Sequence, residues 1–83
     1  MSAPTFAIGD RVRLTAKFLR STGSNEGHVR WTVTGFSGSF VIVDEPVSRA
    51  TRALFTKDEI RQDPTLLFRR FNPANIELSP VRR

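Results

Sequence analysis

Leu66-Leu67-Phe68-Arg69-Arg70-Phe71-Asn72-Pro73-Ala74-Asn75-Ile76-Glu77-Leu78 is the stretch whose reading decides the fold. Proline has a fixed φ and no N–H for a sheet ladder, so Pro73 marks a break between two strands. Asn72 and Asn75 flank it and suit a turn, because short amides bond the nearby backbone. Beyond the turn, Ile76 and Leu78 alternate with Glu77, the pattern of a strand buried on one face. The spacing predicts a strand over 65–71, one tight turn and a short closing strand.

Outward from there, Arg11-Val12-Arg13-Leu14-Thr15-Ala16-Lys17 alternates strictly. That places Val12, Leu14 and Ala16 toward a core and Arg11, Arg13, Thr15 and Lys17 outside. Phe6 to Asp10 reads as an apolar lead-in and a turn. In Val29-Arg30-Trp31-Thr32-Val33-Thr34-Gly35-Phe36, Val29, Trp31 and Val33 share one face. Ser37-Gly38 joins this strand to Ser39–Glu45 as a hairpin. Phe40 to Val43 is apolar on both faces, so that strand is expected to be central or covered. Residues 18–28, rich in small polar residues and glycine, are expected to be a long loop with Phe18 and Leu19 at its base. Thr56 stands three residues before Glu59, a capping-box spacing, so a short helix is expected over 57–62, ended by Asp63-Pro64.

Phe6-Ala7-Ile8-Gly9-Asp10-Arg11-Val12-Arg13 resembles the first strand of SH3-like and KOW-type barrels. Phe71 to Leu78 resembles the strand, 3₁₀ turn and closing strand that end an SH3-type barrel. The resemblance implies one all-β domain over 1–83, a five-stranded SH3-like barrel with a short helical insertion before the fourth strand. Its core would be 6–78, with 1–5 and 79–83 as flexible termini. The compact basic character is similar in style to bacterial and bacteriophage accessory proteins. Two activities of such barrels fail at particular residues. Gly9-Asp10-Arg11-Val12-Arg13 and Pro73-Ala74-Asn75-Ile76-Glu77 resemble the plasmid-borne type II dihydrofolate reductases. That family's Val-Gln-Ile-Tyr pore strand, however, is here Phe68-Arg69-Arg70-Phe71, and the chain has no tyrosine. Pro73-Ala74-Asn75 is similar to the end of a peptide-binding SH3 domain, but the tyrosines of the aromatic groove are absent.

Eighty-three residues allow one small core. With no cysteine and a single histidine, His28, neither a disulfide, a thiolate metal site nor a His-paired dyad can be built. The adjacent carboxylates Asp44-Glu45 and Asp58-Glu59 suit a strand and a helix start better than acid–base chemistry. No phosphate-cradling glycine loop or nucleophile motif occurs. The reading is non-enzymatic, with no cofactor, no metal and no small-molecule substrate. The first residues lack a basic-then-apolar signal pattern and no apolar run is long enough for a membrane, so a cytoplasmic protein is expected.

Thirteen basic against eight acidic side chains give a net charge of +5, and eleven of the thirteen are arginine. A GC-rich genome alone favours arginine codons, yet the resulting field still draws anionic partners. Residues 10–30 carry five basic and two acidic groups, and 64–83 four and one. In an SH3-type barrel the first and last strands are neighbours. Arg11, Arg13, Arg69, Arg70, Arg82 and Arg83 are therefore expected to form one basic face for DNA or RNA phosphates. Phe18, Phe36 and Phe71 are candidates to stack on unpaired bases. The alternative is a protein-interaction or oligomerisation module using the 18–28 loop and the 47–61 insertion, with Phe18, Leu54 and Phe55 as contacts.

Overall fold

The computed structural model describes residues 6–79. It is mostly sheet, with five antiparallel strands in one open sheet: β1 (Arg11–Leu14), β2 (Trp31–Ser37), β3 (Phe40–Pro46), β4 (Phe68–Phe71) and β5 (Ile76–Leu78). The ladder order is β4-β3-β2-β1-β5, so the first strand lies inside the sheet between the second and the last. Three short helices interrupt the strands: α1 (Ala16–Thr22), α2 (Arg49–Arg52) and α3 (Lys57–Gln62).

The closed barrel is corrected to an open sheet. β4 pairs with β3 (Val41↔Phe71, Ile42↔Arg70) and β5 pairs with β1 (Arg13↔Glu77, Leu14↔Ile76), leaving β4 and β5 as the two edges. The 3₁₀ turn Pro73–Asn75 links them, held by the Asn72 side chain accepting from the Ala74 N–H at 2.9 Å. The five links from Phe71 to Ile76 reach at most about 18 Å, so the sheet coils until its edges approach. No ladder joins these two edges, and proline in the turn has no N–H to add to one.

The 18–28 loop is also corrected. Residues 16–22 are helical because Thr15 is an N-cap whose Oγ1 accepts from the Phe18 N–H at 3.1 Å. Gly23 ends the helix in the left-handed region with φ 66°, the glycine stop that helices commonly use. The alternation from Arg11 thus halts at Leu14, and Ala16 is exposed rather than core. Phe18 and Leu19 pack against the core as the first turn and a half of α1 brings them round. In the last third, residues 64–67 form a 3₁₀ turn, so the fourth strand begins at Phe68 and not at Thr65. The 57–62 helix stands as read, with the Thr56–Glu59 capping box formed in both directions. α2 carries no sequence pattern beyond Ser48, its N-cap.

One core lies on the concave side: Phe6, Val12, Leu14, Trp31, Val33, Val41, Val43, Phe71 and Ile76. The rings of Trp31 and Phe71 meet at 4.8 Å, tilted by 59°, an aromatic pair that adds about 1 kcal/mol beyond its area. Ile42 is buried on the opposite face, so β3 is covered on both sides, as its apolar run requires. The hairpin turns on Gly38, whose φ of 58° fits the first position of a two-residue loop. Ser79 donates its N–H to the Arg11 carbonyl at 2.8 Å and so is held to β1. The arms 1–5 and 80–83, with Arg82 and Arg83, lie outside the described residues. Among the described residues no helix is long and apolar enough to cross a membrane.

Candidate functional site

Strand alternation sends Arg69 and Arg70 to opposite faces of β4. Arg69 shares the core side with Phe71. Its Nη1 and Nη2 donate to both oxygens of Glu26, at 2.7 and 2.8 Å, and Nη1 also reaches Glu45 Oε2 at 3.1 Å. The guanidinium carbon lies 5.4 Å from the Trp31 ring centroid and 4.8 Å from that of Phe71. Glu45 Oε1 in turn accepts the Trp31 Nε1–H at 2.9 Å, so one carboxylate joins the indole to the guanidinium. The hydrogen bonds to Glu26 raise the Arg69 pKa, against the opposing effect of burial, and Glu45 adds to the rise. The same bonds, again opposed by burial, hold Glu26 below its ordinary 4.5. Arg69 therefore ties the segment after α1 to β3 and β4, and its charge is neutralised.

Arg70 faces the other way, opposite Ile42 in register. Its only internal hydrogen bond among the described residues is a long one, 3.4 Å from Nη2 to the Thr65 carbonyl. Beside it opens a cleft of about 500 Å³, lined by Glu45, Val47, Ser48, Thr51, Phe55, Leu66, Phe68, Arg69 and Arg70. A register shift between Ile42 and Pro46 interrupts the β3–β4 ladder, which resumes at Pro46↔Phe68, and the Val47 N–H donates to the Leu67 carbonyl at 3.0 Å. Ser48 next starts α2, and Ser48, Thr51 and Phe55 along its turns wall the cleft.

The remaining sequence-derived residues are distributed as follows. Arg13 is paired across the strands with Glu77 at 2.8 Å, and Arg11 donates to Thr32 Oγ1 at 2.9 Å. Both stand on the outer side of β1, and in ladder order β2 and β3 separate them from β4. The structure thus brings Arg11 and Arg13 together on β1, apart from β4, where Arg69 and Arg70 point to opposite faces. Of the stacking candidates, Phe71 is buried, Phe18 is packed on the core, and Phe36 is exposed at the hairpin. Leu54 is 77% exposed, and Phe55 is turned into the cleft wall. Arg49, Arg52, Thr51 and Phe68 were not singled out by the sequence. Only Ser48 with Thr51 three residues on, a cap spacing, pointed toward them.

Charge is partitioned unevenly. Among the described residues every side-chain carboxylate has a neighbour it can bond or pair with. Asp10, Asp44, Glu59 and Asp63 each accept a backbone N–H, Glu26, Glu45 and Glu77 hold arginine, and Asp58 lies 3.9 Å from Arg61. Among the described residues, only Arg13, Arg61 and Arg69 have a carboxylate partner, so Arg70 at the cleft and Arg49 and Arg52 on α2 have none. Among the same residues, no group of three histidine or acidic side chains is arranged to hold a metal ion. No protein-family model, no curated protein and no solved structure matches this chain.

Proposed function

We propose that this chain is a non-enzymatic binding protein that holds nucleic acid by its phosphates, with Arg70 at the cleft and Arg49 and Arg52 on the adjoining α2 as the main anchors. One observation carries the reading: among the described residues these cations have no carboxylate partner. Guanidinium groups with no carboxylate partner attract phosphates and release their counterions. Arg11 adds a further cation on β1, and Arg82 and Arg83 remain in the proposal as anchors. Arg69 leaves it, because its guanidinium is forked onto Glu26 and shared with Glu45, and freeing it would leave two carboxylates without their cation. Arg13 stays as a secondary anchor, since its exposed pair with Glu77 is worth little. For the fold we infer the SH3-like class. The placement of β1 between β2 and β5, and the 3₁₀ turn before the last strand, support that reading.

The test is an anisotropy titration against DNA and RNA at several salt concentrations. We expect affinity to fall steeply with salt, and the slope to become shallower when Arg49 and Arg52 are replaced by alanine. Salt-independent binding, or no binding at low salt, rejects the reading. A second reading, a protein partner on the 47–61 segment, is supported by the exposure of Leu54 beside the cleft. Retention of that partner by the wild type and its loss with Leu54→Ser would favour it.

A further inference from the structure

We propose that the cleft between β4 and the 47–55 segment seats one unpaired nucleobase, so that the ligand of the cationic surface is single-stranded nucleic acid. This rests on the nucleic-acid reading above and names its ligand class. The cleft, about 500 Å³, is within the size range of small-molecule sites and exceeds what one planar base requires. Its apolar lining includes two aromatic rings, Phe55 and Phe68, and Phe68 keeps 38% of its surface exposed. Sequence-tolerant stacking on such rings is how single strands are gripped.

The polar groups fit a neutral base edge. The Ser48 hydroxyl is engaged twice, accepting from the Thr51 N–H at 3.2 Å and donating to Thr51 Oγ1 at 3.0 Å. The Thr51 hydroxyl proton is left to donate. Glu45 accepts one bond at each oxygen, from Trp31 and Arg69, and a carboxylate has further lone pairs. One donor and one acceptor are what a base edge pairs with. Glu45 also selects against an acidic peptide, whose carboxylates would meet another in the cleft. A base is neutral, and its phosphates stay outside among Arg49, Arg52 and Arg70. In a duplex the base is stacked and paired, and entering the cleft would first require breaking both.

The experiment is anisotropy with a labelled single strand of about twelve nucleotides, its duplex, and an abasic strand of the same length. Wild type, Phe68→Ala and Thr51→Val are compared, and 2-aminopurine in the strand reports base environment. We expect the single strand to bind about tenfold more tightly than the duplex or the abasic strand. Each variant should erase most of that preference, leave the other two affinities unchanged and suppress the 2-aminopurine response. Equal affinity for all three probes with both variants inert overturns the base site and leaves the phosphate reading standing. No binding of any probe removes both. If Phe68→Ala fails to fold, Thr51→Val decides, since it deletes a single hydroxyl on the short helix α2. Capture of an acidic peptide in the cleft, in place of the base, also overturns the proposal.

Discussion

Arg69 and Arg70 are neighbours on one strand with identical side chains, and the fold puts them to opposite use. Arg69 is on the core side and is enclosed by Glu26, Glu45, Trp31 and Phe71. Arg70 is on the outer side at an apolar cleft, with one long bond to a carbonyl. The difference is a matter of strand parity. A two-residue period puts one guanidinium where carboxylates and rings converge and the next at the cleft, with no carboxylate partner. Half of an apparent basic pair is thus a structural clamp, and only the other half is available to a ligand.

The clamp is broken most severely at its platform. Trp31→Ala removes the fully buried ring against which Phe71 and Arg69 rest. Loss of about 3–5 kcal/mol is expected, comparable with the whole stability of a small domain. Urea denaturation followed by circular dichroism measures it, and a loss below about 1 kcal/mol would show that Arg69 does not depend on the ring. Arg69→Ala comes next. It leaves Glu26 and Glu45 facing each other without their shared cation, and about 2 kcal/mol of stability should go. Arg69→Lys should restore less than half, because lysine can neither fork across Glu26 nor stack as guanidinium does. Full rescue by lysine would reduce the clamp to a point charge.

How far this was legible follows from the same distinction. The closing strand, its proline turn, the hairpin and the 57–62 helix were readable because the signals are local: Pro73 between two asparagines, a two-residue alternation, and Thr56 three before Glu59. The first helix was missed although Thr15 and Gly23 mark its ends, since Ala16 and Lys17 happen to continue the alternation of β1. Barrel closure was over-read because pairing between β4 and β5 is a property of sheet coiling, which no single residue encodes. The candidate site was the least legible part. Arg69 meets Glu26 across 43 positions of sequence, so nothing near it announces that its charge is spent. The cleft, likewise, depends on a register shift at the end of β3.

Acid sharpens the comparison further, with a smaller effect than deleting Arg69 because it removes one carboxylate of two. The Arg69 guanidinium holds Glu26 below its ordinary 4.5. The unfolded chain therefore binds its proton first as pH falls. The stability from this pair is fully present above about pH 4.5 and is lost as pH drops through the lower folded value. Melting temperatures taken from pH 6 to pH 3 should fall in the wild type, and Glu26→Gln should remove part of that slope. Identical slopes would mean the pair contributes nothing to folding.

The smallest effect on stability, and the one that separates the two arginines most cleanly, is Arg70→Ala. An outward guanidinium with one long hydrogen bond should change stability by no more than about 0.5 kcal/mol. Its effect belongs to binding. Loss of one phosphate contact lowers the slope of log affinity against log salt by about 0.9 for a duplex and about 0.7 for a single strand. Arg69→Ala should show the reverse pattern: lower stability and, in the fraction still folded, an unchanged salt slope. Each variant needs both measurements, because a binding loss caused by unfolding leaves the slope of the surviving protein intact, whereas a lost phosphate contact cannot. If Arg70→Ala destabilises the fold as much as Arg69→Ala while leaving the slope alone, the two arginines are a single structural unit. The cleft then loses its strongest claim to a ligand.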